Sequence, residues 1–556
     1  MKWKKLEHNG ILFPPDFETK KIKIKIKGES VDLDINQEEM IYQWAKKKDT
    51  PYAQDKVFQK NFLADFAKTF GKKYKKLELD DVDFKNAFNL VDKEKDAKEL
   101  LTKEEKKALA AKRKELREEM KVKFGTGKMD GNEVEIANYM AEPPGIFIGR
   151  GEHPLRGKWK PKVTSKDVTL NLGKEAKVPV GNWGKIVHDQ ESMWMASWTD
   201  YLTQKRKYVW LADTAGIKQD RDKAKYDKAK MLAKEIETIK NKIVKDMQNK
   251  DPKVRRISTV CWLIYRTAMR VGDEKDPDEA DTVGATTLRK EHVTLTSDAI
   301  KFDFLGKDSV RWQETVPAVG NDKQFHENLK ELTAKIKATD EIFGNLTSRD
   351  VNEYYKTVVK GLTAKVFRTF SASTVVSKYL NENGDVKKGS QMEKLYHAKL
   401  ANLEAAIMCN HKRTIPKTFE QSLQKKRDTL KTAEKATPWK KNEEVLKKAE
   451  STKTKTDAQE KKRKERITKI KGMIKKSKAK QKERVEKLRL QLDLTEKTRD
   501  YNLGTSLRNY IDPRIFKSWT DEVTADWEKL YTAALQKKFL WVKSENESWQ
   551  NVSKHY

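Results

Sequence analysis

The chain has 556 residues, more than one hydrophobic core usually serves, so several domains are expected. Its 119 Lys and Arg against 85 Asp and Glu leave a formal charge of +34, which favours a polyanionic partner. No apolar run approaches the roughly 18 residues of a membrane span, and the basic N-terminus has no apolar leader core, so nucleic acid is preferred to a membrane. Composition alone suits a ribosomal or packaging protein equally well. The two cysteines, Cys261 and Cys409, sit in apolar settings, which fits a reducing compartment and gives no disulfide framework or thiolate zinc site. The eight histidines form no HExxH pair. Gly127-Lys128 and Gly306-Lys307 lack the upstream glycine and the following Ser or Thr of an NTPase phosphate loop. No cofactor, structural metal or small-molecule substrate is expected.

Trp3, Leu6, Phe13 and Pro14-Pro15 read as an extended start. Lys21 to Lys27 alternates lysine and isoleucine, Gly28-Glu29-Ser30 reads as a turn, and Val31 to Ile35 alternates again, predicting a hairpin with one buried face. Its basic face suits phosphate contact or simple solvation. From about 36 to 125 the pattern is helical, with Phe58, Phe62, Phe66 and Phe70 as one stripe, read as core in preference to a base-stacking platform, and Thr102 and Glu105 opening a charged helix. The Gly- and Pro-punctuated run from Glu142 to Pro154 is loop, either a tight turn or a DNA contact through Arg150. Short strands follow around Val168, Leu170 and Leu172 and at Tyr208 to Leu211, with Trp183, Trp194 and Trp198 as core mass. Val254 to Met269 predicts a buried helix with Gly272 as its C-cap. Ile300 to Leu305 and Val310 to Trp312 predict a hairpin with Lys307 at its tip, and helices then run to about 417. Residues 419 to 500 are dense in charge, with Trp439 the one aromatic between Phe419 and Tyr501 and Pro438 as a break. Ile467, Ile470, Ile474, Val485, Leu488 and Leu492 form a narrow seam, predicting two antiparallel helices, with a disordered basic tether as the alternative. After 501 a normal composition returns, and Trp519, Trp527, Leu530, Phe539, Leu540 and Trp541 are expected to make a small core.

Tyr510 stands in Leu503-Gly504-Thr505-Ser506-Leu507-Arg508-Asn509-Tyr510-Ile511-Asp512-Pro513-Arg514-Ile515. With blocks at Glu142 to Pro154, Ala280 to Gly284, Phe302 to Ser309, Leu362 to Thr369 and Cys409-Asn410-His411, this stretch resembles the eukaryotic type IB DNA topoisomerases over nearly the whole chain. The resemblance carries the family's ordered Arg, Lys, Arg, His, Tyr set onto Arg270, Lys307, Arg368, His411 and Tyr510. Three departures stand nearby: Asp273 for the usual Asn, Phe370-Ser371 for Tyr-Asn, and Lys412 for Gln. None removes a catalytic side chain. The family's long charged N-terminal tail does not precede this start, which leaves the nucleus, another site of DNA metabolism or a compact viral member open as locations.

The resemblance implies an α+β multidomain fold. Residues 1–212 would form a mixed α/β cap, 213–417 a mainly helical catalytic core of the kind shared with tyrosine recombinases, 418–500 a protruding antiparallel coiled-coil linker, and 501–556 a small helical C-terminal domain. A monomer would clamp double-stranded DNA. Tyrosine ionises only near pH 10 and is a poor nucleophile unless cations surround it, which explains the residue types. Two arginines can hold the oxygens of the attacked phosphate in a forked geometry, His411 adds a donor, and Lys307 can protonate the departing 5′ oxygen. Further DNA contacts would fall on Arg150, His153, Asp308, Asn509 and Thr505. Arg150, Asp308 and Asn509 resemble the positions that hold camptothecin in the family. A tyrosine recombinase shares the catalytic types but not the cap or coiled coil. A non-enzymatic basic DNA-binding protein explains the charge but not the ordered set.

Overall fold

The structure is a computed structural model that describes residues 2–149, 151–272, 283–306 and 310–556. Helices and sheets are mixed, and none of the helices among these residues is long and apolar enough to cross a membrane. The chain divides into two compact units, one of residues 2–221 and one built from 222–272, 283–306 and 310–556.

The first unit holds two cores. In one, strands Ile24–Ile26, Glu29–Val31 and Val82–Asp83 pack with helices Ile35–Ala45, Lys56–Lys68 and Lys85–Leu100. The phenylalanine stripe fills it: Phe58, Phe62 and Phe66 are fully buried, and Phe62 stacks on Trp44 at 4.6 Å. Each such ring contributes about 1.5–3 kcal/mol by leaving water. The hairpin differs from its expected register. Its turn is Lys27-Gly28, both with positive φ, so Glu29 already pairs with Ile26. A two-residue turn of that hand matches strand twist, and lysine tolerates it here beside a glycine. Ile35 is not strand either, because the Asp34 carboxylate accepts from the Gln37 amide and starts a helix there.

The other core lies inside a seven-stranded sheet, in the order Leu6–His8, Thr126–Met129, Asn132–Ala137, Arg206–Leu211, Trp194–Thr199, Thr169–Asn171, Lys185–Val187. Val168, Leu170, Leu172, Met195 and Trp198 are buried within it, and Trp3 and Leu6 close it. Helix Lys103–Phe124 opens with the expected Thr102 and Glu105 capping box and buries no side chain.

The second unit also has two cores. Helix Pro252–Thr267 centres the first, with Val260 to Ile264 packed against Ile300, Phe302 and Phe304 of the hairpin Ala299–Gly306 and Val310–Pro317. The second joins helices Ala364–Asn383 and Gln391–Met408 to Ile515, Phe516, Trp519, Trp527 and Phe539. The residues after 501 therefore share a core with two upstream helices, and Leu540, expected inside, is 44% exposed. Helix Ala364–Asn383 runs through both cores, with Phe367 in the first and Ala372 in the second. Arg368 sits at that seam.

Residues 419 to 497 form three helices, Phe419–Lys435, Lys440–Ser451 and Asp457–Lys497, with the break at Pro438. Contacts run in opposite sense along the two sides: Arg427 with Glu496, Glu434 with Arg489, Glu443 with Lys478, Glu450 with Lys471. The two short helices therefore lie antiparallel to the long one. Ile470 and Ile474 bury against Trp439, Leu446 and Ala449, a seam too small to stand on apolar area alone.

Candidate active site

Three of the five ordered residues, Arg270, Arg368 and His411, come together around a fourth, Tyr510. Tyr510 follows the short helix Leu503–Asn509, which Asn502 caps by accepting from the Gly504 amide. Asn402 fixes that helix on Gln391–Met408: its amide donates to the Leu503 carbonyl (3.1 Å), and its oxygen accepts from Ser506 (2.8 Å). The Tyr510 amide donates to the Ser506 carbonyl, and the side chain is half-buried.

Arg368 is 6% exposed and does two things. Its Nη1 donates to the Ala268 carbonyl at 2.8 Å and its Nη2 to the Cys409 carbonyl. Those carbonyls end helices Pro252–Thr267 and Gln391–Met408, so the guanidinium caps both. Its Cζ also lies 5.0 Å from the Tyr510 ring centroid, in cation–π range, and its buried Nε has no partner among the described residues.

Arg270 reaches the same place by a different exit from the one expected. The helix ends at Ala268, which takes φ +51°, not at Gly272. Ala268 turns the chain so that Arg270 lies on the segment beyond, held by the Ala285 amide on its carbonyl (2.8 Å). Gly272 has another duty: with φ +86° it lies against Gly284, where an added side-chain carbon would meet the Gly284 Cα at 3.0 Å. The Tyr510 hydroxyl lies near enough to the Arg270 guanidinium to favour its charged form. Burial, and then the nearby Arg368 cation, lower its pKa, but a guanidinium starts so high that it stays charged.

His411 follows a second left-handed residue, Asn410 at φ +51°. The turn lets the His411 amide reach back to the Ala406 carbonyl (2.8 Å), and its ring stacks on Tyr510 with centroids 5.4 Å apart. Both ring nitrogens are buried without a partner among the described residues. Burial first, then the Arg368 and Arg270 cations, pull its pKa down to about 3, so the ring is neutral at physiological pH. The His411 carbonyl accepts from the Asn502 amide at 2.7 Å, and Lys412 bridges Tyr501. The chain thus leaves for the long helices and returns at adjacent points, which sets His411 beside Tyr510.

Lys307, Asp308 and Arg150 lie outside the described residues, as do Asp273 and Ala280 to Thr282. Asn410 nevertheless ties the hairpin strand beyond Lys307 to the site, donating to the Arg311 carbonyl at 3.0 Å. Asn509, the residue just before Tyr510, is exposed and donates to the Thr505 carbonyl one helical turn earlier. His153 belongs to the first unit, where its ring meets Phe147 edge-on at 4.9 Å and its Nδ1 accepts from the Leu155 amide. Sequence reasoning missed Asn410, Asn402 and Ser373. The polar Asn402 among the alanines of a buried helix was the one readable signal.

Two fixed cations and a neutral imidazole around a phenol can steady an oxyanion beside a nucleophile. Comparisons with known proteins give the family. Residues 1–211 match the family described as "Eukaryotic DNA topoisomerase I, DNA binding fragment", 214–445 its "catalytic core", and 482–551 the "C-terminal topoisomerase domain". The chain is 36% identical to DNA topoisomerase 1 beta of Arabidopsis thaliana, covering 97% of this chain and 58% of the relative. It is 33% identical to DNA topoisomerase 1 of Homo sapiens, covering 97% and 71%, and 33% identical to that of Candidozyma auris, covering 99% and 83%. The chain spans a little over half the length of the Arabidopsis relatives.

Proposed function

Because the chain belongs to the eukaryotic DNA topoisomerase I family, we propose that it relaxes supercoiled double-stranded DNA by a type IB mechanism. Tyr510 attacks a backbone phosphorus. Its oxygen forms the new O–P bond as the bond to the 5′ oxygen breaks; the phenol gives up its proton to solvent water, and the 5′ oxygen takes one from Lys307. Arg270 and Arg368 hold the non-bridging oxygens, and neutral His411 donates one ring N–H to them. Lys307 protonates the leaving oxygen, a role it takes on the family pattern alone. The 3′-phosphotyrosine keeps the bond energy, so the freed strand rotates and religation reverses the same steps without ATP or an obligatory metal.

One observation carries this reading: Arg368 and His411 lie against the Tyr510 ring and Arg270 interacts electrostatically with it, though the three span 141 positions of sequence. Around it we place the wider proposal. Residues 1–212 act as a cap and 213–417 with 501–556 as the catalytic body of a monomeric clamp. Residues 418–500 act as a coiled-coil linker near downstream DNA. Arg150, His153, Thr505, Asp308 and Asn509 contact the duplex. Binding weakens steeply with salt as counterions are released. The nucleus is the expected place of action.

The test is relaxation of supercoiled plasmid in EDTA without ATP, comparing wild type with Tyr510→Phe. Relaxation by wild type alone, with a covalent adduct at the 3′ end, is the expected result. Relaxation by Tyr510→Phe would remove the nucleophile assignment. DNA binding without relaxation by either protein would favour a non-enzymatic role.

A further inference from the structure

A second set of polar groups is hydrogen-bonded to the backbone on the C-terminal side of the nucleophile. Three residues separate helix Leu503–Asn509 from helix Pro513–Glu522, and Tyr510 is the first of them. Asp512, the third, is fully buried. Its carboxylate accepts from the Arg514 amide (3.0 Å), from Arg514 Nε and Nη2 (3.1 and 2.8 Å), and from the Tyr556 hydroxyl (2.8 Å). Arg514 Nη1 continues to Asp227 at 2.7 Å. On its other side, the Asp512 amide donates to Ser373 Oγ (3.0 Å), and that hydroxyl reaches the Tyr510 carbonyl at 3.4 Å. Ser373 also interacts with the Tyr556 hydroxyl. It is fully buried on helix Ala364–Asn383, five positions beyond Arg368.

We propose that Ser373, Asp512 and Tyr556 form a lock that indexes the Tyr510 backbone to the helix carrying Arg368. The proposal rests on Tyr510 being the nucleophile. A half-buried tyrosine on a three-residue connection has few ways of holding its hydroxyl in line with a phosphorus. The lock supplies them from the carbonyl side, one hydrogen bond from the peptide that carries the reacting ring. Arg514 neutralises Asp512, so the carboxylate stays buried, while the Tyr556 hydroxyl satisfies a further lone pair and packs the connection against both cores of the unit. Misplacement of a reacting group by about 1 Å costs on the order of 10²-fold in rate, so loosening the lock slows chemistry without touching DNA affinity. These three are positioning residues, with no contact to the phosphate.

The experiment is single-turnover cleavage with enzyme in excess over a short duplex whose cleaved strand diffuses away. Wild type, Tyr556→Phe, Ser373→Ala and the double variant are compared, with DNA affinity measured in parallel. Tyr556→Phe keeps the ring and its packing. Each single variant is expected to cleave about tenfold or more slowly with unchanged DNA Kd, and the double variant to be no slower than the slower single, because the two hydroxyls act through one connection. A substrate with bridging 5′ sulfur, which needs no proton on leaving, is expected to show the same loss. Rescue by that substrate would make the defect one of protonation and overturn the proposal. So would wild-type cleavage by Tyr556→Phe, or a double variant in which the two losses multiply. A Tyr556→Phe protein that loses DNA affinity in step with cleavage would assign the network to general folding instead. Failure of wild type to cleave at all would refute the nucleophile reading beneath, a result visible before any variant is compared.

Discussion

His411 ties the electrostatics of the site to a measurable pH dependence. Its pKa falls from the ordinary 6.5 to about 3, by burial first and by Arg368 and Arg270 second. In the unfolded chain the imidazole returns to about 6.5. Between those values the unfolded state binds the proton that the folded state refuses, so stability declines as pH drops below 6.5. Taking pH 5, the gap from 6.5 is about 1.5 units, or about 2 kcal/mol lost relative to neutral pH. His411→Gln removes that group and its loss. Urea unfolding of both DNA-free proteins, followed by tryptophan fluorescence at pH 7 and pH 5, reads the difference, and all other titrating groups cancel between them. The variant should gain about 2 kcal/mol on wild type as pH moves from 7 to 5. A stability gap independent of pH would mean that the folded protein accepts the proton, and that burial and the two guanidiniums do not exclude it. On the proposed mechanism, the same depression should leave the cleavage profile of the free protein blind to His411 between pH 5 and 9.

Other predictions follow the same geometry. Arg368→Lys is expected to lower relaxation by about 10²-fold or more, since one ammonium cannot cap Ala268 and Cys409 and also face Tyr510; near-normal relaxation in a plasmid time course would refute this. Replacing residues 430–490 by a short turn should leave cleavage intact and make relaxation more distributive, because the chain exits and returns at the Lys412 and Tyr501 bridge. Loss of cleavage in that protein would show that the long helices help build the site. Camptothecin should lengthen the life of the covalent complex through Arg150, Asp308 and Asn509, and an unchanged lifetime in a salt-reversal assay would remove that inference.

Much of the site was legible because each residue sits in a distinctive local run: Arg368 in Leu362 to Thr369, His411 after Cys409-Asn410, Tyr510 before Ile511-Asp512-Pro513. Their meeting was not legible. It depends on two left-handed turns at residues other than glycine, Ala268 and Asn410. Local propensity points instead to the nearest glycine, which is why Gly272 reads as the cap although the helix stops four residues earlier. The hairpin at Lys27-Gly28 slipped for a related reason: a lysine at positive φ hides a two-residue turn. The phenylalanine stripe was plain, since a four-residue spacing of rings lines one face of a helix, and that face is buried here rather than free to stack on bases. Leu540 was not, because apolar residues cluster densely there and only tertiary packing decides which one is left outside.

Arg368 shows why a bland structural role and a chemical one need not compete. A buried arginine at a helix end ordinarily caps carbonyls, and Arg368 does so twice. Those two bonds take one N–H from each Nη and fix the guanidinium plane, leaving Nε and the ring-facing side available. The cost of desolvating the cation is met partly by helix-end carbonyls, whose partial negative charge favours it there. A cation held this way does not have to reorganise when negative charge develops beside Tyr510, and such preorganised donors are worth about 10²- to 10³-fold in rate. The capping bonds are therefore what would make Arg368 useful to the chemistry, and a variant that keeps the charge but loses the caps separates the two contributions.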